Sequence, residues 1–188
     1  MNDNKAGRAP TGGKDKLKRE PSICQRPDGT FHMVWTSSWT DRIGGSASSK
    51  DLIHWSEQKA IPVMMHEPTA HNCWAPELFY DKPSKTYYIF WATTIPGRHK
   101  EVPTSESEKG LNHRMYYVTT KDFQTFSEAK MFFDPDFSVI DAAIVKDKNG
   151  ELIMVVKNEN SNPPEKNLRV TKTKKIKKGF PIEVSAPI

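Results

Sequence analysis

A short sequence pattern that occurs three times limits the possible folds of this chain more than any other feature of the sequence. A turn followed by a run of aromatic and β-branched residues spans 28–36, returns at 84–92, and appears again at 149–156. Residues of these types favour strands, and the turn in front of each run marks where a strand begins. The three copies predict that the chain repeats one β-structured unit.

A second repeated pattern adds another strand boundary to the same unit. The segment 48–57 returns at 119–128, and six of its positions are identical or nearly so. Both copies contain a Lys-Asp pair followed by an aromatic residue, which is Trp55 in the first copy and Phe126 in the second. We interpret each copy as the hairpin between two outer strands, with Lys-Asp opening the turn and the aromatic residue closing it.

Together the two patterns predict an all-β fold made of about three four-stranded antiparallel units, at about 20–67, 74–133 and 140–188. A repeat of this length is typical of a propeller blade, which cannot bury both faces alone and must stack on its neighbours. Propellers have at least four blades, so three units predict part of a larger propeller. The aromatic residues predicted to pack between blades are Trp35, Trp55, Tyr87, Trp91 and Phe126.

Charge adds little to this interpretation. The chain has 28 basic and 23 acidic residues among 188, a formal charge of +5. Basic residues cluster in the opening stretch and in a run near the end, which contains Lys172, Lys174, Lys175, Lys177 and Lys178. Either cluster could contact nucleic acid or an acidic polymer, but neither is interleaved with stacking aromatic residues. We therefore predict a disordered tail over 1–19, a solvated hairpin near the end, and no nucleic-acid partner.

Several other classes of protein are disfavoured. Two cysteines, Cys24 and Cys73, imply no disulfide framework. The sequence has no apolar run long enough for a signal-peptide core or a membrane span, so we expect a soluble protein with no membrane partner. His66 and His71 lack the short ligand spacing of structural zinc sites, so no metal site or other cofactor is predicted from the residues.

Acidic residues recur where the innermost strand of each unit is predicted to begin. Glu20 and Asp141 lie at the same interval before the turn of their units, whereas Glu77 is displaced by one residue. Like charges that converge on a narrow channel repel each other and are costly to desolvate, which favours a functional role or a bound cation. The alternative is that they cap turns or pair with Arg19 or Arg114.

The residues at these strand starts resemble a known family. Glu-Pro-Ser-Ile at 20–23, Trp-Ala-Pro-Glu at 74–77 and Ile-Asp-Ala at 140–142 are similar to motifs of glycoside hydrolase family 43, whose members are five-bladed β-propellers. The resemblance extends from Glu20 onward. It implies a glycosidase acting with inversion on arabinose- or xylose-containing polysaccharide, with Glu20 at the position of the general base. Asp141 stands at the position that raises the pKa of the general acid and orients it.

The chain departs from the family pattern in two ways. The base is usually Asp, and the extra methylene of Glu20 moves its carboxylate by more than roughly 1 Å. The general acid is expected in a Glu-Gly-Pro segment at the head of a fourth blade, which this chain does not contain, so no residue is assigned to that role. A catalytically inactive carbohydrate-binding propeller would account for both departures. A protein-interaction propeller would account for the repeats but not for the carboxylates.

Loops on the face that carries the carboxylates supply candidate sugar contacts, because aromatic rings suit the apolar faces of sugars and Arg or His can hold hydroxyls. The predicted contacts are Trp39, His71, Trp74, Glu77, His113 and Arg114. His113 ends an insertion at 95–113 that lengthens a loop of the second unit on this face. The resemblance also permits a calcium ion in the channel and implies a monomeric, secreted or periplasmic parent protein.

Overall fold

The computed structural model describes residues 17–99, 111–161 and 163–188. Within these ranges the chain forms three antiparallel sheets, which we call the first, second and third blades. The first contains β1 (Arg19–Gln25), β2 (Phe31–Thr36), β3 (Gly44–Ser49) and β4 (Lys59–Ile61); the second contains β5 (Trp74–Asp81), β6 (Thr86–Thr94), β7 (His113–Thr120) and β8 (Lys130–Phe133); and the third contains β9 (Val139–Lys146), β10 (Leu152–Asn158) and β11 (Leu168–Thr173).

Each blade is a meander in which consecutive strands pair, so the predicted all-β propeller fold is confirmed. The third blade has three strands rather than the predicted four. After β11 a short 3-10 helix, Ile176–Lys178, changes the chain direction. The residues at the end of the chain then bond to the outer edge of β11, where Ile188 donates to the Leu168 carbonyl (3.1 Å) and Ser185 donates to that of Val170 (2.8 Å). A short irregular segment therefore takes the place of the fourth strand.

The second blade lies between the other two, and its strand β6 contributes apolar side chains to the contacts with both neighbours. Along this strand Tyr87, Ile89 and Trp91 belong to the apolar cluster shared with the first blade. The alternate residues Tyr88 and Phe90 belong to the cluster shared with the third blade. Successive side chains of a strand point to opposite faces, so an uninterrupted apolar run allows β6 to bury both.

Of the five aromatic residues predicted to pack between blades, Tyr87 and Trp91 are fully buried in the cluster between the first two blades, as expected. Trp35 is also fully buried, but it belongs to neither inter-blade cluster and packs beneath the Lys18 ammonium, 5.5 Å from its ring. The other two, Trp55 and Phe126, are only partly buried because they lie in hairpin turns. Phe126 packs at the edge of the cluster between the first two blades. The indole of Trp55 donates instead to the carbonyl of Leu52, within its own turn (3.1 Å).

The repeated Lys-Asp pattern forms the predicted hairpins. In the first blade Asp51 Oδ1 accepts the backbone N–H groups of Ile53 and His54 (2.9 and 2.7 Å). In the second blade Asp122 Oδ1 accepts those of Gln124 and Thr125 at matching positions (2.8 and 2.9 Å). An aspartate that satisfies turn amides in this way explains why the pattern is repeated.

Two sequence-based expectations lie wholly or partly outside the described residues. Most of the predicted tail, 1–16, and part of the predicted insertion, 100–110, are not described, so the boundary at residue 19 stays a prediction. No helix in the described part of the chain has the length and apolar character needed to span a membrane.

Candidate active site

The innermost strands β1, β5 and β9 pack side by side and share an unusual backbone conformation near their starts. Glu20 has φ 51°, Ala75 has φ 45° and Asp141 has φ 53°. Each residue lies beside a break in the pairing register of its blade. A left-handed conformation costs a non-glycine residue roughly 1–2 kcal/mol, so its recurrence marks one equivalent position in the three blades. We call the region around these three residues the channel mouth.

This equivalence supports the pairing of Glu20 with Asp141 but corrects the place of Glu77. The sequence interval put Glu77 one residue away from the shared position. In the structure that position belongs to Ala75, and Glu77 lies two residues further along β5, level with Ser22 of β1. The Ser22 hydroxyl donates to Glu77 Oε2 (2.5 Å). Glu77 therefore links two blades, and a sugar contact through it stays a prediction.

Glu20 is exposed at the channel mouth, and two donors fix one of its oxygens. The Thr36 hydroxyl donates to Oε2 (2.8 Å), and so does the backbone N–H of Ala75 (3.1 Å). Thr36 lies at the end of β2, and Ala75 belongs to the neighbouring blade, so contacts on both sides orient this carboxylate. No described residue bonds Oε1, which leaves that oxygen available to water.

Asp141 lies within electrostatic range of Glu20. Its pKa lies above its ordinary value because partial burial disfavours the charged form and because Glu20 and Glu159 add nearby negative charge. Lys157 acts in the opposite direction, with its Nζ 3.9 Å from Asp141 Oδ2. Lys157 pairs with Ile140 as Thr36 pairs with Arg19, so the same blade position provides a hydroxyl beside Glu20 and an ammonium beside Asp141.

Glu159 is an acidic residue of this region that the sequence reasoning missed. Its side chain is 1% exposed, and its two oxygens lie 2.7 Å from the ammonium groups of Lys157 and Lys166. Burial alone would raise the pKa of Glu159, but the two lysines outweigh it and the pKa lies below its ordinary value. The negative charge held there anchors Lys157 beside Asp141. A direct alignment of the three blades would have shown Lys157 at the position of Thr36.

The structure also brings together two predicted sugar-binding residues, Trp39 and Trp74. Their rings meet edge to face with centroids 5.9 Å apart, and the Trp74 indole donates to the Trp39 carbonyl (3.0 Å). Trp39 is 44% exposed, and the Arg19 guanidinium lies 4.2 Å from the centre of its ring. Because Arg19 and Trp74 directly precede Glu20 and Ala75, this aromatic pair borders the channel mouth.

His113 and Arg114 are buried rather than presented to a ligand. The His113 ring lies 5.1 Å from that of Trp74, and its Nε2 is 3.1 Å from the side-chain nitrogen of Asn72. Burial lowers the pKa of His113 to about 4, so the ring is neutral near neutral pH. Arg114 bonds to Asp134 and to Asn112 Oδ1 (2.6 Å). His113 therefore packs against Trp74, and Arg114 ties β7 to Asp134 after β8, which differs from the direct sugar contact expected of both residues.

The remaining predicted contact, His71, lies partly exposed in the link between the first two blades. Its backbone N–H donates to the carbonyl of Thr94 (2.9 Å). The described residues contain no group of three His, Cys, Asp or Glu side chains placed to hold a metal ion. A channel calcium therefore has no supporting observation here, and it stays an expectation from the resemblance.

Comparison with known proteins identifies the family. Residues 1–183 match the profile of a family described as a probable glycosyl hydrolase domain, related to glycoside hydrolase family 43. An α-L-arabinofuranosidase of Bifidobacterium longum is 26% identical over 104 residues, which is 52% of this chain and 10% of that protein. This chain thus covers a small part of that relative.

Solved structures show the same fold. The α-L-arabinofuranosidase from Lactobacillus brevis superposes with a TM-score of 0.63 at 17% identity, covering 90% of this chain and 52% of that one. The endo-arabinase from Bacteroides thetaiotaomicron gives a TM-score of 0.63 at 16% identity, with 86% and 53% covered. The chain therefore spans about half the length of these propellers. With the profile match over nearly its whole length, the chain belongs to the family of probable glycosyl hydrolase domains related to glycoside hydrolase family 43.

Proposed function

We propose that this chain provides the water-activating and sugar-binding part of an inverting glycoside hydrolase that acts on arabinose- or xylose-containing polysaccharide. The observation that carries the proposal is the placement of Glu20 and Asp141 at equivalent positions of the first and third blades, beside the exposed ring of Trp39. The names of the similar proteins, an arabinofuranosidase and an endo-arabinase, support arabinose as the sugar.

The geometry suits Glu20 for the role of general base. Inverting hydrolysis needs a carboxylate that takes a proton from water while a carboxylic acid about 6.5–9.5 Å away protonates the leaving oxygen. Thr36 and the Ala75 amide hold Oε2, so Oε1 is the oxygen that would accept the proton. A fixed carboxylate lowers the entropic cost of positioning the attacking water.

Asp141 would act through charge. An ionised Asp141 disfavours ionisation of a neighbouring carboxylic acid and so keeps that acid protonated near neutral pH. Lys157, anchored by Glu159, favours the charged form of Asp141 that this role requires. No described residue of this chain is assigned as the acid itself.

The exposed ring of Trp39 is the natural platform for the sugar. An aromatic face and the apolar face of a sugar ring bury each other from water, and the edge-to-face contact with Trp74 fixes the plane of this platform. Arg19, stacked against the same indole, keeps N–H donors available for sugar hydroxyls.

A second candidate function is carbohydrate binding without turnover. One observation favours it. Glu20 is longer than the usual aspartate, and two hydrogen bonds tie its Oε2 between two blades. A carboxylate held at the wrong depth would leave the aromatic platform intact but place the water badly for attack.

Leaving-group chemistry separates the two candidates. A 2,4-dinitrophenolate leaves without protonation, so hydrolysis of 2,4-dinitrophenyl α-L-arabinofuranoside requires the base but not the acid. We expect the chain to hydrolyse this substrate faster than the methyl arabinofuranoside, and Glu20→Gln to reduce the rate by roughly 100-fold or more. Glu128→Gln, which removes an exposed carboxylate from an outer hairpin, is the matched control.

Binding is measured in parallel through tryptophan fluorescence during titration with arabinotriose, and the part of the signal that is lost in Trp39→Phe is assigned to Trp39. Binding without turnover of either substrate would favour the second candidate. Turnover that survives Glu20→Gln would remove Glu20 from the role of base, and the absence of both binding and turnover would count against both candidates.

A further inference from the structure

A basic cleft lies far from the channel mouth, where the second and third blades meet. It is formed by the turn after β5, the end of β9 with the start of β10, and the segment after β11. Along β5 the chain rises about 3.3 Å per residue, so Ala75 and Asp81 are separated by about 20 Å. This cleft, which we call the lysine cleft, therefore opens near the opposite end of the innermost strands.

Five lysines from three separate segments line the lysine cleft: Lys82, Lys146, Lys174, Lys175 and Lys177. All five are exposed, and within the described ranges none of their ammonium groups has an ion-pair or hydrogen-bond partner. The only acidic side chain among the lining residues is Asp81, which accepts a hydrogen bond from Ser84. Uncompensated like charges repel, and an anionic ligand would relieve that repulsion.

The floor of the cleft is apolar. Pro83, Leu152 and Ile176 line it together with Phe79 and Tyr80, and the open cleft has a volume of about 650 Å³. A volume of that size accommodates a small ligand or a few sugar residues. Cations around the rim and an apolar floor together suit a ring that carries a carboxylate.

We propose that the lysine cleft binds an anionic polysaccharide whose sugar rings carry carboxylate groups. The assignment goes beyond the proposed hydrolase function, because the cleft shares no residue with the channel mouth. A polymer bound in the lysine cleft would hold the chain against polysaccharide without blocking Glu20 and Asp141 at the channel mouth.

Nucleic acid fits the cleft less well. All the cations are lysines, whereas the planar guanidinium fork of arginine is the better match to phosphate. The two aromatic rings are also committed to the interior, since Tyr80 packs 4.6 Å from Tyr87 and Phe79 packs against the apolar cluster between the second and third blades. These contacts reduce the aromatic surface left for the base stacking that single-strand binding requires.

The experiment is isothermal titration of the chain with polygalacturonate, and with neutral dextran, which contains neither arabinose nor xylose, as the uncharged control. We expect polygalacturonate to bind with an affinity that falls as salt rises. The triple variant Lys174→Gln, Lys175→Gln, Lys177→Gln should bind roughly tenfold more weakly. The charge-matched triple variant Lys50→Gln, Lys121→Gln, Lys130→Gln, which alters exposed lysines elsewhere on the first two blades, should stay within about twofold of the parent.

Three results would overturn the proposal. They are no binding of polygalacturonate, an equal loss in both triple variants, or a DNA duplex that binds as tightly as polygalacturonate. Because Glu20→Gln leaves the cleft unchanged, its binding of polygalacturonate should equal that of the parent. The lysine cleft and the hydrolase function can therefore fail independently.

Discussion

Replacing Lys157 by glutamine tests how the charge of Asp141 is controlled. The ammonium of Lys157 lies 3.9 Å from Asp141 Oδ2 and is held there by Glu159 at 2.7 Å. The variant Lys157→Gln removes the positive charge and keeps much of the side-chain length. The pKa of Asp141 should then rise above its already raised value, because the one contact that lowers it is lost.

The size of this rise follows from Coulomb's law. Two unit charges about 4 Å apart interact by about 1 kcal/mol in water and by about 4 kcal/mol at the effective dielectric constant of a protein surface. The Asp141 side chain is 45% exposed, so the lower end applies. We expect a rise of about one pKa unit, which corresponds to about 1.4 kcal/mol. Glu159 stays paired with Lys166, and its negative charge acts in the same direction.

The assay is a carboxyl-carbon NMR titration of Asp141 in the parent and in Lys157→Gln. Lys148→Gln, which removes an exposed lysine from a turn of the same blade, controls for net charge. An unchanged or lower pKa of Asp141 in Lys157→Gln would refute the reasoning, and an equal rise in Lys148→Gln would show that the effect is not local. A carboxyl group whose pKa is raised by folding stabilises the native state below its unfolded pKa. That contribution is lost as pH rises through the folded pKa, so the loss should extend to higher pH in Lys157→Gln.

Two further predictions concern stability. Gly45→Ala should lower the free energy of unfolding by about 2 kcal/mol or more, because the added Cβ would lie 2.1 Å from the buried ring of Trp35. The control is Gly44→Ala, whose Cβ would meet no atom closer than 3.6 Å. It should lower the free energy of unfolding far less in the same urea titration. Burial lowers the pKa of His113 to about 4, so the folded state favours the neutral ring. The free energy of unfolding should therefore be highest above the pKa of histidine in the unfolded chain, and it should decrease by roughly 3 kcal/mol at most as pH falls toward 4. Urea titrations across this range should show a smaller pH dependence in His113→Gln but not in the exposed-site control His66→Gln, and an unchanged dependence in His113→Gln would contradict this account.

The fold could be predicted from the sequence because its signals are local and repeated. Turn chemistry such as that of Asp51 and Asp122 is visible in a window of ten residues, and the apolar run of β6 needs no knowledge of its partners. The equivalence of Glu20 and Asp141 could be predicted for the same reason, since a constant interval to the following turn survives in both blades.

The place of Glu77 could not be predicted in this way. Its blade has one residue more between the shared position and the turn, because Ala75 precedes Thr86 by 11 residues whereas Glu20 precedes Thr30 by 10. The register break at the strand start is the same in the first two blades, so the additional residue lies in the turn between β5 and β6, where Tyr80 pairs with Tyr87 as Gln25 pairs with Phe31. Counting intervals therefore placed the carboxylate one residue from the shared position, while the structure shows a displacement of two.

The burial of Glu159 and Arg114 was hidden for a different reason. A charged residue in sequence gives no sign that it is buried, because its compensation comes from residues brought close by folding. Glu159 depends on Lys166, which follows a turn after β10, and Arg114 depends on Asp134, which follows β8. Such pairs form only once the neighbouring strands have paired, β10 with β11 in the first case and β7 with β8 in the second, and single-sequence patterns do not encode them.

The second blade shows how one backbone position serves two different purposes at the channel mouth. Ala75 adopts the same left-handed conformation as Glu20 and Asp141 but carries no charge. A third carboxylate at this point would lie on the strand between the other two and would add a further negative charge to the channel mouth. Ala75 instead turns its N–H toward Glu20 Oε2, so that the same bend supplies a hydrogen-bond donor. The repeated fold thus gives the three residues one backbone conformation, and alanine in the middle blade adds a hydrogen-bond donor without adding a third negative charge.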